Sequence, residues 1–309
     1  MYIFIVNPNA GNGRAKRVFS KIAKSSLYKE IDKTYFLTQY VGHAEEIASE
    51  LQPNYPEITC LIVIGGDGTV HEVLNGLDNQ EVTVAFIPGG SGNDFARGCQ
   101  IKGNPVNLFQ QIVKNPEELP YWLGDYEADD KIERKFINSM GFGFDACITH
   151  TANNSIYKKV FSLIRLASLS YAITLIHMLF RFKPMDVELM INNEKRIIRN
   201  SWMVTIANHP FYGGGMKIIP NATIQPGTFS ILILHSISKL KVLALFLTVF
   251  SGKHINFKEV ELIEAQYMTI TADNEIYYQV DGQTDSCSTC TLSKQMESIS
   301  ITRPGLLDK

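Results

Sequence analysis

Three short apolar runs in the first third of the chain each end in a glycine-rich turn, and each turn opens into a helical pattern. Tyr2 to Val6 runs into Asn7-Pro8-Asn9-Ala10-Gly11-Asn12-Gly13. Leu61 to Ile64 runs into Gly65-Gly66-Asp67-Gly68-Thr69, and Val82 to Ile87 into Pro88-Gly89-Gly90-Ser91-Gly92-Asn93-Asp94. Short apolar runs bounded by turn residues read as buried strands. After the first turn, Ala15, Val18, Phe19, Ile22 and Ala23 share one helix face. Thr34 to Thr38 adds a strand; His43 to Leu51, Glu72 to Leu77, Asp94 to Gly98 and Leu108 to Lys114 add helices. Alternation of this kind predicts parallel pairing in an α/β layer, whose ligands bind beyond the carboxyl ends of the strands. All three glycine turns lie at those ends.

The pattern changes after Leu123. Strand-like runs follow at Lys135 to Asn138, Asp186 to Ile191, Ser201 to Ala207, Thr228 to His235, Tyr267 to Thr271 and Glu275 to Val280. Two helical stretches interrupt them, Tyr157 to Phe182 and Ser238 to Phe250. The expected fold is an α/β N-terminal domain with a parallel sheet, residues 1–123, followed by a mainly antiparallel β domain with helical insertions, residues 124–291. The tail from about 292 to 309 is expected to return to the first domain.

Composition excludes several classes. A chain of 309 residues, 45% hydrophobic and 19% charged, builds a sizeable globular core and is not disordered. A formal net charge of -2 gives no field that would gather nucleic acid. Arg14, Lys16, Arg17, Lys21 and Lys24 read as a solvated helix face. Five cysteines at irregular spacing form no disulfide framework and fit a reducing compartment. Cys287-x-x-Cys290 has no second pair at zinc spacing and reads as a surface turn. The opening Met-Tyr-Ile-Phe-Ile-Val lacks the basic region and cleavage site of a signal peptide. Val160 to Phe182 is the most lipid-like stretch, but it carries Arg165 and His177, so an amphipathic or buried helix is expected there.

Glycine lets backbone N–H groups approach a phosphate closely. A single such loop is an ordinary strand-to-helix turn, whereas three in one α/β domain form a convergent anion site. The Walker pattern G-x-x-x-x-G-K-[ST] is absent. The one G-x-G-x-x-A, Gly141 to Ala146, lies in the second domain and lacks the helix-capping and downstream acidic context of a dinucleotide site. Asp67 and Thr69 set a carboxylate and a hydroxyl among the amides. A carboxylate beside phosphates is sensible when Mg²⁺ lies between them, as phosphoryl transfer requires.

The Asn7-Pro-x-Ala-Gly11 segment, the run Gly65-Gly-Asp-Gly-Thr-Val-His-Glu-Val-Leu-Asn-Gly76 and the block Pro88-x-Gly-Ser-x-Asn93-Asp-Phe-Ala-Arg97 together resemble the diacylglycerol kinase catalytic domain family, which includes bacterial lipid kinases and sphingosine kinases. The resemblance continues through Asp125, Phe136-Ile-Asn138, Gly141-x-Gly143 and Val280-Asp281-Gly282. It implies an N-terminal domain like that of NAD kinases and phosphofructokinases, with ATP and acceptor meeting in an interdomain cleft. It implies an ATP-dependent lipid kinase using Mg²⁺ and phosphorylating a hydroxyl of a diacylglycerol-like lipid alcohol. Asn7, Asn9, Gly11, Thr38, Gly65, Gly66, Asp67, Gly68, Thr69, Glu72 and Ser91 match nucleotide-contacting positions. Asp67, Asp94 and Asp125 match the acids of the magnesium and water network, with Asp67 reaching the metal through water or ATP phosphates. Asp281 matches the first acid of the family's Asp-Gly-Glu near the transferred phosphate. Read by themselves, Asp94 is a helix cap and Asp281 the Asp-Gly turn of a hairpin.

Two departures bear on activity. Gln283 stands at the third position of Asp-Gly-Glu, and an amide cannot take a proton from a hydroxyl. Gln225-Pro226-Gly227-Thr228 lacks the carboxylate the family usually carries there near a structural Mg²⁺. A catalytically weak nucleotide- and lipid-binding module is therefore the alternative, with NAD kinase as a third reading. Ile156 to Phe182 and Ser238 to Lys253 mix basic and large apolar residues, suiting either a helix pair packed on the β domain or contact with a membrane interface. The expected setting is cytoplasmic, peripheral at the inner membrane face, and a homodimer is left open.

Overall fold

The computed structural model describes residues 1–77, 82–154 and 176–305. Its contacts divide into two compact units. The first holds Met1–Leu123, Gly213–Gly215 and the residues from Met296 on; the second holds Gly124–Tyr212 and Met216–Gln295.

The first unit is built on a six-stranded sheet. Its strands are β1 (Tyr2–Val6), β2 (Lys33–Leu37), β3 (Cys60–Gly65), β4 (Val84–Pro88), β5 (Pro116–Tyr121) and, from the end of the chain, β17 (Ile299–Pro304), in the order β2-β1-β3-β4-β17-β5. β1 to β4 pair in parallel, β17 runs parallel to β4, and β5 is antiparallel to β17. β3 is buried at every position, as a central parallel strand covered on both faces must be. The helices are α1 (Ala10–Ala23), α2 (Ser26–Glu30), α3 (His43–Asn54), α4 (Asp67–Gly76), α5 (Asp94–Gly98) and α6 (Pro105–Lys114). Ala15, Val18 and Ile22 of α1 close over Phe4, Ile62 and Ile64 of the sheet.

The second unit is antiparallel. Its strands are β6 (Gly124–Ala128), β7 (Arg134–Phe136), β8 (Ser139–Gly143), β9 (Met185–Ile191), β10 (Glu194–Ala207), β13 (Phe229–His235), β14 (Val260–Ala265), β15 (Tyr267–Val280) and β16 (Gln283–Lys294), with a small ribbon of β11 (Phe211–Tyr212) and β12 (Met216–Lys217). The large sheet runs β14-β13-β10-β8-β15-β16-β6-β7, and β9 bridges β10 and β15. Two apolar clusters fill it. One joins Phe136, Phe142, Leu189, Ile206, Ile231 and Leu292. The other packs α7 (Phe144–Asn154) and α8 (Lys239–Thr248) around Trp202.

The structure corrects several readings. Tyr267 to Thr271 and Glu275 to Val280 are one strand, β15, whose register on β16 shifts between Thr271 and Ile276. That shift lets Cys287 and Cys290, three apart, both be fully buried, so they form part of a core strand and not a surface turn. The G-x-G-x-x-A runs from β8, which ends at Gly143, into α7, which starts at Phe144. The space beside that helix start is filled from within: a Cβ on Gly141 would meet Asp145 Oδ2 at 1.9 Å. Helix was expected over Tyr157 to Phe182; residues 176–181 are helical, and the part before them lies outside the described residues.

Candidate active site

The β1–α1, β3–α4 and β4–α5 loops meet one another within the first unit. Gly11 has φ +58°, and a Cβ there would lie 2.3 Å from the carbonyl oxygen of Gly89. A Cβ on Gly90 would lie 2.4 Å from the Cα of Gly66. Only glycine permits backbones this close, so the spacing of glycines in the sequence is a packing requirement between loops as well as a turn requirement. Polar bonds tie the same loops. Gly89 N donates to Gly65 O at 2.7 Å, Arg14 Nη1 donates to Gly90 O at 3.0 Å, and Asn7 Nδ2 donates to Thr69 Oγ1 at 3.1 Å. Asn93, held at φ 56°, brackets Gly90: its Oδ1 accepts from Gly90 N and its Nδ2 donates to Gly90 O.

Helix α4 starts at Asp67, directly after β3, so its N-terminal amides and positive dipole end lie at this convergence. Asp67 Oδ1 accepts from Phe95 N at 2.9 Å, linking the second loop to the third. Asp94, 6% exposed, is braced on both oxygens: Arg97 Nη1 donates to Oδ1 at 2.7 Å and Gly214 N to Oδ2 at 2.7 Å. Arg97 also donates to Gly92 O. Glu72 Oε2 accepts from Ala44 N at 3.2 Å, in the first turn of α3. Thr38 is buried, its N–H bonded to Val6 O, while Ser91 and Asn9 are exposed. Of the expected nucleotide positions, the loops thus bring together Asn7, Gly11, Gly65, Gly66, Asp67, Thr69 and, through Gly90, the neighbourhood of Ser91.

Asp281 and Asp125 belong to the second unit. Asp281 and Gly282, at φ 50° and 91°, form a two-residue turn between β15 and β16, as Asp-Gly hairpins do. The Asp281 carboxylate has a second structural task. Oδ2 accepts from Ile137 N at 2.8 Å, and Oδ1 from Asn138 N at 2.7 Å and Ser139 N at 3.2 Å. A buried polar chain extends from there. His209 Nε2 donates to Asn138 Oδ1 at 2.9 Å while its Nδ1 accepts from Phe211 N, which fixes the neutral tautomer. Burial pulls the His209 pKa down to about 4, against the opposing pull of Asp281. Lys294 Nζ donates to Asn208 Oδ1 at 2.6 Å, and Asn208 Nδ2 to Ile137 O at 2.7 Å. Burial lowers Lys294 to about 7, with Asp125 pulling it upward. Asp125 is itself raised by burial, offset by the bond that Gln295 Nε2 donates to it at 2.7 Å. Sequence reasoning missed Asn208, His209 and Lys294. They are single polar residues at strand ends, and only their burial marks them.

Comparison with known proteins decides the family. The family model described as Diacylglycerol kinase catalytic domain matches residues 1–119, and that described as YegS C-terminal NAD kinase beta sandwich-like domain matches residues 138–302. "Putative lipid kinase YtlR" of Bacillus subtilis (strain 168) is 35% identical over 91% of this chain and 93% of its own length. The chain belongs to the diacylglycerol kinase family of lipid kinases. A diacylglycerol kinase of Mycobacterium tuberculosis (strain ATCC 25618 / H37Rv) is 25% identical over 97% of this chain and 94% of its own length. A solved structure of a diacylglycerol kinase from Bacillus anthracis str. Sterne matches with TM-score 0.69 and 20% identity, covering 98% of this chain and 97% of that one. The expected fold, an α/β unit with a parallel sheet and an antiparallel β unit with helices, is the fold of this family.

Proposed function

We propose that this chain moves the γ-phosphoryl group of ATP to a hydroxyl of a lipid alcohol, with the β1–α1, β3–α4 and β4–α5 loops holding the triphosphate. The observation that carries the reading is the mutual contact of those loops at Gly11, Gly66, Gly89 and Gly90, next to the start of α4. Converging amides and a helix N-terminus stabilise the charge that builds on phosphate oxygens during transfer.

Magnesium fits this donor set in one manner. Among the described residues no group of three His, Cys, Asp or Glu could hold a metal ion. Both Asp94 oxygens are used by Arg97 and Gly214. A Mg²⁺ that arrives with the nucleotide needs only a carboxylate or two beside phosphate oxygens and water, and Asp67 suits that role. When bound, the ion supplies charge neutralisation between the phosphates. The acceptor side falls to the second unit. Asp281, fixed in orientation by three amides, and Asp125, raised toward neutrality by burial, are the acids proposed to act on the acceptor hydroxyl. A membrane-borne acceptor makes the protein peripheral to a bilayer.

The alternative, a weak or inactive binding module, is favoured by Gln283, which opens β16 with an exposed amide where the family has a carboxylate. One assay separates the two. The purified chain is incubated with labelled ATP, Mg²⁺ and mixed lipid extracts. Labelled lipid that disappears with Asp67→Asn, in a variant of unchanged melting temperature, supports the kinase. Saturable ATP binding without labelled product, with product appearing on Gln283→Glu, supports the module.

A further inference from the structure

Helix α8 is apolar on both its inward and its outward stripe, with Lys239 and Lys241 in its first turn. Val242 and Leu245, with Val249 just beyond, turn inward to the cluster around Trp202. Leu240, Leu243 and Leu247 turn outward, 80%, 37% and 76% exposed, beside exposed Ala244 and followed by Phe250 at 56%. Spacings of three and seven place the outward leucines on one stripe. The outer stripe of a helix lying on a protein surface is normally polar. Residues 176–181 repeat the arrangement: Leu179 is buried, while Ile176 and Phe180 are 50% and 68% exposed. The two helices adjoin, since Lys239 Nζ donates to Phe180 O at 2.7 Å. Scattered exposed leucines mean nothing, but a joined set this large marks an interaction surface.

Charge says which partner. Segments 176–184 and 236–258 contain Arg181, Lys183, Lys239, Lys241, Lys253 and Lys258 and no Asp or Glu. Among the described residues only Lys241 of these six makes an ion pair, with Glu259 at 2.6 Å. Large apolar side chains among cations that mostly lack an ion-pair partner match an anionic bilayer, where apolar groups enter the acyl boundary and cations meet the headgroups. The outward stripe carries no polar group that would orient a specific protein partner.

We propose that α8 and residues 176–183 form a docking face for anionic lipid bilayers. This deepens, and rests on, the reading that the acceptor is membrane-borne; it names the surface through which the enzyme reaches it. The full chain is tested by co-sedimentation with vesicles of phosphatidylcholine alone and with about one third phosphatidylglycerol. Binding is expected to be roughly tenfold or more tighter on the anionic vesicles and to weaken with salt. Leu240→Ser combined with Leu247→Ser, and separately Phe180→Ser, are expected to lower vesicle binding roughly tenfold with melting temperature unchanged. The same variants keep wild-type transfer to a short-chain, detergent-dispersed acceptor and lose it for vesicle-borne acceptor. Wild-type vesicle binding in all variants, or indifference of the wild type to anionic lipid, overturns the proposal. So does a solution dimer that these substitutions dissociate, which assigns the face to a second copy. Vesicle binding that responds to the variants, in a protein that phosphorylates no lipid, upholds the docking face and refutes the kinase reading instead.

Discussion

Replacing Gly90 by alanine tests whether loop convergence is the basis of phosphate binding. The added Cβ would stand 2.4 Å from Gly66 Cα and 2.9 Å from Asn93 Oδ1, whereas ordinary contact begins at 3.4 Å. Backbone faces backbone at the first of these contacts, so no side chain can swing aside. The β3–α4 and β4–α5 loops must part by about 1 Å. That movement strains the bonds of Gly90 with Arg14 and Asn93. Overpacking of this kind costs on the order of 1–3 kcal/mol. A misplacement of about 1 Å costs on the order of 100-fold in transfer rate. Gly68→Ala is the matched control, because a Cβ there meets nothing within 4 Å. Urea unfolding and ATP-binding calorimetry are run on both variants. Gly90→Ala is expected to lower the urea midpoint and weaken ATP by tenfold or more, while Gly68→Ala leaves the midpoint unchanged or higher. A Gly90→Ala protein with wild-type midpoint and ATP affinity refutes the reasoning.

Asp281→Ala removes the acceptor of three amide N–H groups and should cost about 3 kcal/mol in urea unfolding; a residue that only touches substrate would leave stability unchanged. Asp145, 3% exposed, has its pKa raised by burial from 3.8 to about 7. Its contribution to stability is therefore full below about pH 4 and lost as pH rises to about 7, a change on the order of 4 kcal/mol. Asp145→Asn should remove that contribution, so that the variant loses stability relative to the wild type as pH falls from about 7 to 4, and an unchanged curve counts against a buried acid there. His209 acts with the opposite sign, its pKa lowered from 6.5 to about 4, so its own contribution of about 3 kcal/mol is lost on acidification through the same window and offsets that of Asp145; His209→Gln should therefore gain stability on acidification relative to the wild type. Asp125→Asn should lower kcat with ATP affinity unchanged, and equal losses in both would point to a scaffold role.

The strand-loop-helix order of the first unit was legible because central parallel strands are uniformly apolar and end at glycine. β1 and the α5 helix fall where periodicity puts them, and β3 and β4 differ by a residue or two at their ends. The second unit was less legible for a physical reason. β16 reads Gln-Thr-Asp-Ser-Cys-Ser-Thr-Cys-Thr-Leu-Ser-Lys, a strand of small polar residues whose burial is decided by the register of β15 and not by its own alternation. β5, with proline at both Pro116 and Pro120, carries no strand signal and exists because β17 pairs with it along six residues. Such long-range pairing leaves no mark in a local window. The buried Asn208, His209 and Lys294 were invisible for the same reason, since each is defined by a neighbour distant in sequence.

The acids that the sequence offers as equals are sorted by what they hold. Glu72 bonds the first turn of α3, Asp94 joins Arg97 to the Gly214 amide, and Asp281 gathers three successive amides before β8. Each of these carboxylates fixes a piece of backbone, and their loss should be felt as misplacement of loops. Asp67 also accepts from a backbone amide, Phe95 N, and so links two glycine loops, but it stands at the start of α4, where a bound triphosphate would bring its cation. Asp125 differs again, because burial raises its pKa and it accepts from a side-chain amide, that of Gln295. A carboxylate whose pKa is raised is the better proton acceptor, and this one is not locked into the fold by backbone bonds. Chemistry and scaffolding are therefore separable by experiment: alanine substitutions at Asp94 and Asp281 should move stability together with rate, whereas Asp67→Asn, which keeps an acceptor for Phe95 N, and Asp125→Asn should move rate with stability nearly constant.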